Sequence, residues 1–260
     1  MNLLRSELRK ISSTRLWWGL LIGVAVYCAI QAGATAATAG AGAAGQNAIP
    51  TPDTAGTLRL IYAGSAFSGA FIFALILGIT GMTGEYRYQT ITPTFLAEPR
   101  RSRVVAAKML AHLAVGVGYG LVGLVVSVVT GAAVIAIRGY PLGLGASGLV
   151  GAMALAVLAV ALWTLFGLGI GTMIRNQVAA ILIGVVITLL LEPIASLVLH
   201  ALHLDSVGQW LPSNASAAMT SPVTSFTHYL DWWAGGLVML GYTALFVVAG
   251  IWLSVSRDIT

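Results

Sequence analysis

Charge is what this sequence has least of. Only 8% of its 260 residues are Asp, Glu, Lys or Arg, against about a quarter in an ordinary soluble domain, which excludes a freely soluble globular protein. Cysteine is nearly absent too. Cys28 stands alone in an apolar run, so neither a disulfide framework nor a cysteine metal site can be built, and nothing follows about redox compartment. There is no Gly-x-x-x-x-Gly-Lys-Ser/Thr phosphate loop and no His-Glu-x-x-His, which excludes ATP hydrolysis by the usual route and the common zinc-protease arrangement. Basic residues outnumber acidic ones, 13 to 8, but they are distributed along the chain rather than gathered in one patch, so no nucleic-acid partner is expected.

What the chain has in abundance is apolar sequence, 58% of all residues. Membrane spans of about 20 residues with short connections leave room for six or seven helices in a single domain, 1–260. The expected fold class is therefore an all-α integral membrane protein. Residues 1–13 place Leu3, Leu4, Leu8 and Ile11 on one side of a helix and Arg5, Glu7, Arg9 and Lys10 around the other, the pattern of an interfacial amphipathic helix touching membrane lipid. Six spans follow, from about Leu16 to Ala37, Leu60 to Thr83, Val104 to Ile137, Ser147 to Ile174, Val178 onward with an interruption at Glu192-Pro193, and Trp233 to Val255. The tract Thr38 to Thr57 reads as a flexible loop, and 194–232 as a broken, less regular region.

The longest strongly polar interval lies between spans 2 and 3, from Gly84 to Lys108. It holds Glu85, Arg87, Glu98, Arg100, Arg101, Arg103 and Lys108, seven of the chain's 13 basic and 8 acidic side chains. Lys and Arg also fix the orientation. Eleven of them (Arg5, Arg9, Lys10, Arg15, Arg87, Arg100, Arg101, Arg103, Lys108, Arg175, Arg257) fall on one side, against Arg59 and Arg138 on the other. The richer side is expected to be cytoplasmic, which places both termini and the polar loop inside and requires an even number of spans.

Few residues have the makings of chemistry. Glu192 is the only acidic residue set well inside an apolar run, about 21 Å along span 5 from Val178; a carboxylate at such a depth is a candidate for function, the alternative being a cap at a helix break. His200 and His203 have a one-turn spacing and, with His228, Asp205 or Asp231, are set against the plainer reading of polar residues at a water boundary. Gly19 with Gly23, Gly116 with Gly120 and Gly167 with Gly171 carry helix-packing spacing, read first as contacts within the bundle. An intramembrane protease would need a nucleophile or metal with convergent support. An ion-driven secondary transporter would show an inverted repeat, and none is visible.

The arrangement of an amphipathic first helix, six spans with both ends inside, a helical loop after span 2 and a broken segment before span 6 resembles the permease subunits of ABC-2 type transporters. At the level of motif the likeness covers Glu85, Thr90, Pro99-Arg100-Arg101-Ser102-Arg103 and Lys108, with Gln89 standing where the family usually has Gly. The resemblance implies a cytoplasmic coupling helix within 84–103 that docks on a separate ABC ATPase subunit, a second permease copy (identical or related), and a re-entrant segment within 194–232. It implies a transport subunit rather than an enzyme, exporting a drug, antibiotic, peptide, lipid or polysaccharide across the inner (plasma) membrane, with antibiotic resistance among the roles of relatives. ATP and Mg would be held by the partner, with no cofactor on this chain. Within the coupling region, Glu85, Tyr86, Arg87, Tyr88 and Thr90 are the expected ATPase-coupling residues, because aromatic residues beside a charge anchor small interfaces. Glu192 is the expected residue of the transport path.

Overall fold

The computed structural model describes residues 2–41, 49–90, 101–220 and 230–257. Among the described residues it is all-helical, with six helices long and apolar enough to cross a membrane. Helix α1 (Asn2–Ser13) is followed by α2 (Leu16–Thr38), α3 (Ala55–Arg87), α4 (Arg101–Ile137), α5 (Leu149–Met173), α6 (Gln177–Ala201), the short α7 (Asp205–Gly208) and α8 (Pro212–Thr220), and α9 (Trp232–Arg257).

Helix α5 forms the centre. From Ala159 to Thr172 every residue is buried, as expected of a helix that is apolar all round, and α3, α4 and α9 all pack on it. With no hydrophobic drive between helices in lipid, close backbone approach supplies much of the packing energy. Gly167 faces the backbone of Leu75 and Gly171 that of Ile79, joining α5 to α3, while Gly116 and Gly120 face Ala161 and Val157, joining α4 to α5. Two of the three expected glycine pairs thus pack within the chain. Gly23 meets Phe73 of α3, but its companion Gly19 has open space before it.

Several expected boundaries move. Span 2 starts at Ala55 rather than Leu60, because Thr54 caps it by accepting a hydrogen bond from the Thr57 N–H at 3.3 Å. Arg101 to Arg103 already belong to α4, a helix of 37 residues and so about 55 Å long. Of the expected coupling helix, 91–100 lie outside the described residues.

The expected break at Glu192-Pro193 is corrected outright: α6 runs on to Ala201. Pro193 removes one backbone donor and crowds the preceding turn, and α6 absorbs this by widening to a π turn over Ile187–Leu191, in which the Glu192 N–H bonds the Ile187 carbonyl. The buried face of α6 is a stripe of small and polar residues, Ala180, Gly184, Thr188, Glu192 and Ser196, while Leu182, Leu189, Leu190 and Leu191 are exposed. Strict four-residue spacing drifts around a 3.6-residue helix, and the wider π turn brings the stripe back.

Beyond α6 the chain returns to the bundle. Helix α8 packs against α5 and α9, with Ser216 fully buried and its hydroxyl accepting the Trp163 indole N–H at 2.8 Å. Residues 221–229, and His228 with them, lie outside the described residues.

Candidate functional site

Four charged side chains from three helices meet at the end of the bundle that carries α1. Glu7 and Lys10 come from α1, one turn apart; Glu85 comes from the last turns of α3; Lys108 comes from the start of α4. Lys108 Nζ lies 2.6 Å from Glu7 Oε2 and 2.8 Å from Glu85 Oε1, and Lys10 Nζ lies 2.6 Å from Glu7 Oε1 and 2.8 Å from the same Glu85 Oε1. The third donor of Lys108 reaches the Gly81 carbonyl at 3.4 Å.

Such a group is tolerated away from water only because the charges cancel and each ion keeps hydrogen-bond partners. Glu7, Glu85 and Lys108 are buried, and Lys10 forms the water-facing edge. Partial burial works against the Lys10 ammonium, but hydrogen bonds to Glu7 and Glu85 outweigh it and hold its pKa above the ordinary lysine value.

His112, one turn beyond Lys108 on the same face of α4, is buried beside the cluster. Its Nδ1 lies 2.8 Å from the Lys108 carbonyl oxygen. A carbonyl can only accept, so Nδ1 carries a hydrogen; Nε2 is buried and has no partner among the described residues. The ring sits directly over Gly81, where a Cβ would collide with it. Under α1 the cluster borders a cavity of about 320 Å³, walled by α1, Leu16 of α2, α3 with Tyr88 and Thr90 beyond its end, α4 and Gln177 of α6.

The expected coupling residues divide by position. Glu85 is turned inward to the ions and is 5% exposed. Tyr86 is half-buried, and Arg87 is exposed, with Nη1 donating to the Gln177 side-chain oxygen at 3.2 Å. Tyr88 is 67% exposed, with the Arg87 guanidinium 5.7 Å from its ring centroid. Gln89 and Thr90 end the helix: the Thr90 N–H bonds the Glu85 carbonyl at 3.0 Å and the Gln89 N–H bonds the Tyr86 carbonyl at 3.3 Å, the paired bonds of a Schellman cap. Gln89 takes the left-handed conformation this cap requires, at φ 54°, which is the physical reason a glycine suits the position.

In the sequence Glu7 and Lys10 fall on the polar side of α1, and His112 carries no motif that marks it. The available signal was spacing: Gly81 with Glu85 and Lys108 with His112 are both i, i+4 pairs, the second inside an otherwise apolar turn.

Glu192 stands apart from this cluster. It is 5% exposed, and its Oε2 accepts the Ser213 N–H at 2.8 Å, so it holds the first turn of α8, where helix donors lack internal partners. One turn on, Ser196 Oγ accepts from Asn214 Nδ2 at 3.0 Å. The oxygens Glu192 Oε1 and Thr188 Oγ1 are buried without a partner among the described residues. The alternative histidine grouping can be followed only at its described members, since His228 lies outside the described residues. His200 Nδ1 pairs with Asp205 Oδ1 at 2.8 Å, His203 forms the left-handed cap of α6 at φ 57°, and no group of three metal-ligating side chains occurs among the described residues. Arg59 and Arg138, the two basic residues assigned to the opposite side, each bond a backbone carbonyl, of Ser147 and Ala36 respectively.

Among curated proteins the chain finds no match. A family model described as ABC-2 family transporter protein matches residues 1–258, nearly the full length of a chain with six span-length apolar helices. The chain therefore belongs to the ABC-2 family of transporters, as a multi-pass membrane protein of a family whose permeases pair with an ABC ATPase subunit.

Proposed function

We propose that this chain is the membrane-spanning permease subunit of an ATP-driven exporter. It pairs with a second permease copy and a separate ATPase subunit that holds ATP and Mg, and it moves a hydrophobic or amphiphilic substrate out of the cytoplasm. The supporting observation is the ion cluster: Glu85 and Lys108 flank the polar stretch between α3 and α4, and both are tied to α1. A push on that stretch by a docked ATPase would move α1 and the starts of two spans together. Glu85 serves here by positioning, and Tyr88, with Tyr86, Arg87 and Thr90 beside it, supplies the contact.

The eleven-to-two distribution of basic residues supports a cytoplasmic location for both termini and for the polar stretch, in the inner (plasma) membrane. The return of α8 against α5 and α9 supports a re-entrant segment on the other side. Glu192, holding that segment to α6, is our candidate on the transport path.

Tyr86→Ala with Tyr88→Ala tests the coupling surface by copurification with the ATPase and by ATP hydrolysis in nanodiscs. We expect insertion to be kept and ATPase recovery or its stimulated hydrolysis to fall. Full recovery with parental hydrolysis would place the contact elsewhere.

A further inference from the structure

The ion cluster leaves α1 with an unbalanced outer face. The helix carries Arg5, Glu7, Arg9 and Lys10, and the cluster takes up its one carboxylate, Glu7, together with Lys10. Arg5 and Arg9 are exposed, and neither forms an ion pair among the described residues. With Ser6, Lys10 and Ser13 they line an open recess of about 490 Å³ along α1. The Ser6 and Ser13 hydroxyls donate to the carbonyls of Leu3 and Lys10, so the unspent donors of this surface are the two guanidinium groups. Side chains four residues apart on a helix lie about 5–6 Å from each other, which lets both guanidinium forks reach one phosphate, an anion whose oxygens arginine matches with paired hydrogen bonds.

The depth of this face identifies the phosphate. Helix α1 ends at Ser13 and α2 begins at Leu16, followed by Trp17 and Trp18, and indole rings settle at the boundary between acyl chains and water. Leu4, Leu16 and Trp18 are exposed apolar side chains on the same stretch, suited to the acyl side of that boundary. We infer that the Arg5–Arg9 face of α1 binds the head group of an acidic phospholipid, phosphatidylglycerol in type. A zwitterionic lipid is the poorer occupant, because its own cation already neutralises its phosphate and is repelled by the arginines. Binding requires neither ATPase nor transport, so the inference is independent of the exporter reading.

The test is lipid retention by the protein in nanodiscs of phosphatidylglycerol and phosphatidylcholine in equal amounts. Native mass spectrometry after release into a mild detergent reads the ratio of the two lipids that stay bound. We expect the parent to retain phosphatidylglycerol in excess, and Arg5→Gln with Arg9→Gln to lower that excess by about tenfold or more, as the loss of two basic residues at an acidic surface warrants. Both side chains are exposed and without ion-pair partners among the described residues, so this variant should fold. Arg87→Gln with Arg175→Gln removes the same charge from exposed positions at the ends of α3 and α5, and should leave the ratio at its parental value. Equal retention of the two lipids by the parent, a parental ratio in the Arg5 and Arg9 variant, or an equal fall in the Arg87 and Arg175 variant would overturn the inference. So would displacement of phosphatidylglycerol by inorganic phosphate, which would identify a soluble anion as the occupant.

Discussion

Lys108 Nζ lies 2.8 Å from Glu85 Oε1, an ion pair with each side chain 6% exposed, formed between the end of one span and the start of the next. Its neighbours determine what breaking it would do. Glu85→Gln removes the carboxylate oxygen shared by Lys10 and Lys108, and Lys108→Met removes the ammonium shared by Glu7 and Glu85. Removing one partner of a buried pair costs about 3–5 kcal/mol. The double variant removes one charge of each sign and keeps the Glu7–Lys10 pair, 2.6 Å apart. We therefore expect the double variant to unfold at a higher temperature in detergent than either single variant. Additive losses would mean that the four charges do not act as one group.

A smaller effect is expected at Gln89. A left-handed residue with a Cβ costs about 1–2 kcal/mol relative to the ordinary helical region, and Gln89 bears that cost to close the Schellman cap of α3. Gln89→Gly should stabilise by up to about 1 kcal/mol, and Gln89→Val should destabilise. A lower unfolding midpoint for the glycine variant would show that the Gln89 side chain makes a compensating contact.

Much of this architecture was legible because lipid imposes a simple rule. Apolar runs long enough to span must be helices, and glycines at four-residue spacing brought Gly116, Gly120, Gly167 and Gly171 against their neighbours as expected. What escaped was the destination of polar residues. On a helical wheel Glu7 and Lys10 look solvated, and only the folding of α1 onto α3 and α4 buries Glu7 and brings Lys10 to the edge of the same cluster. The run through Pro193 was misjudged for a related reason: a proline reads locally as a break, while the π turn that accommodates it is set by what the stripe from Ala180 to Ser196 packs against.

The last prediction concerns that stripe, where Glu192 receives the Ser213 N–H at the start of α8. Two properties of the carboxylate can be separated. As an acceptor it satisfies a donor that would otherwise be buried and unpaired, a loss of about 1–3 kcal/mol. As a charge it favours the helix N-terminus, typically by about 0.3–1 kcal/mol. Glu192→Gln keeps a carbonyl oxygen of nearly the same shape, so α8 should stay docked and stability should fall by less than in Glu192→Leu, which removes the acceptor altogether. A cysteine at half-buried Ala218 reads the docking directly, since Cys28 is fully buried and should not compete for a bulky thiol reagent. Labelling at position 218 should be faster in the leucine variant and close to parental in the glutamine variant. If both variants label at the parental rate, α8 is held by the Trp163 indole and Ser196 without help from Glu192. If glutamine frees the segment as fully as leucine does, the charge rather than the hydrogen bond is what docks it. With docking kept, any change that Glu192→Gln makes in export would be attributable to the carboxylate itself.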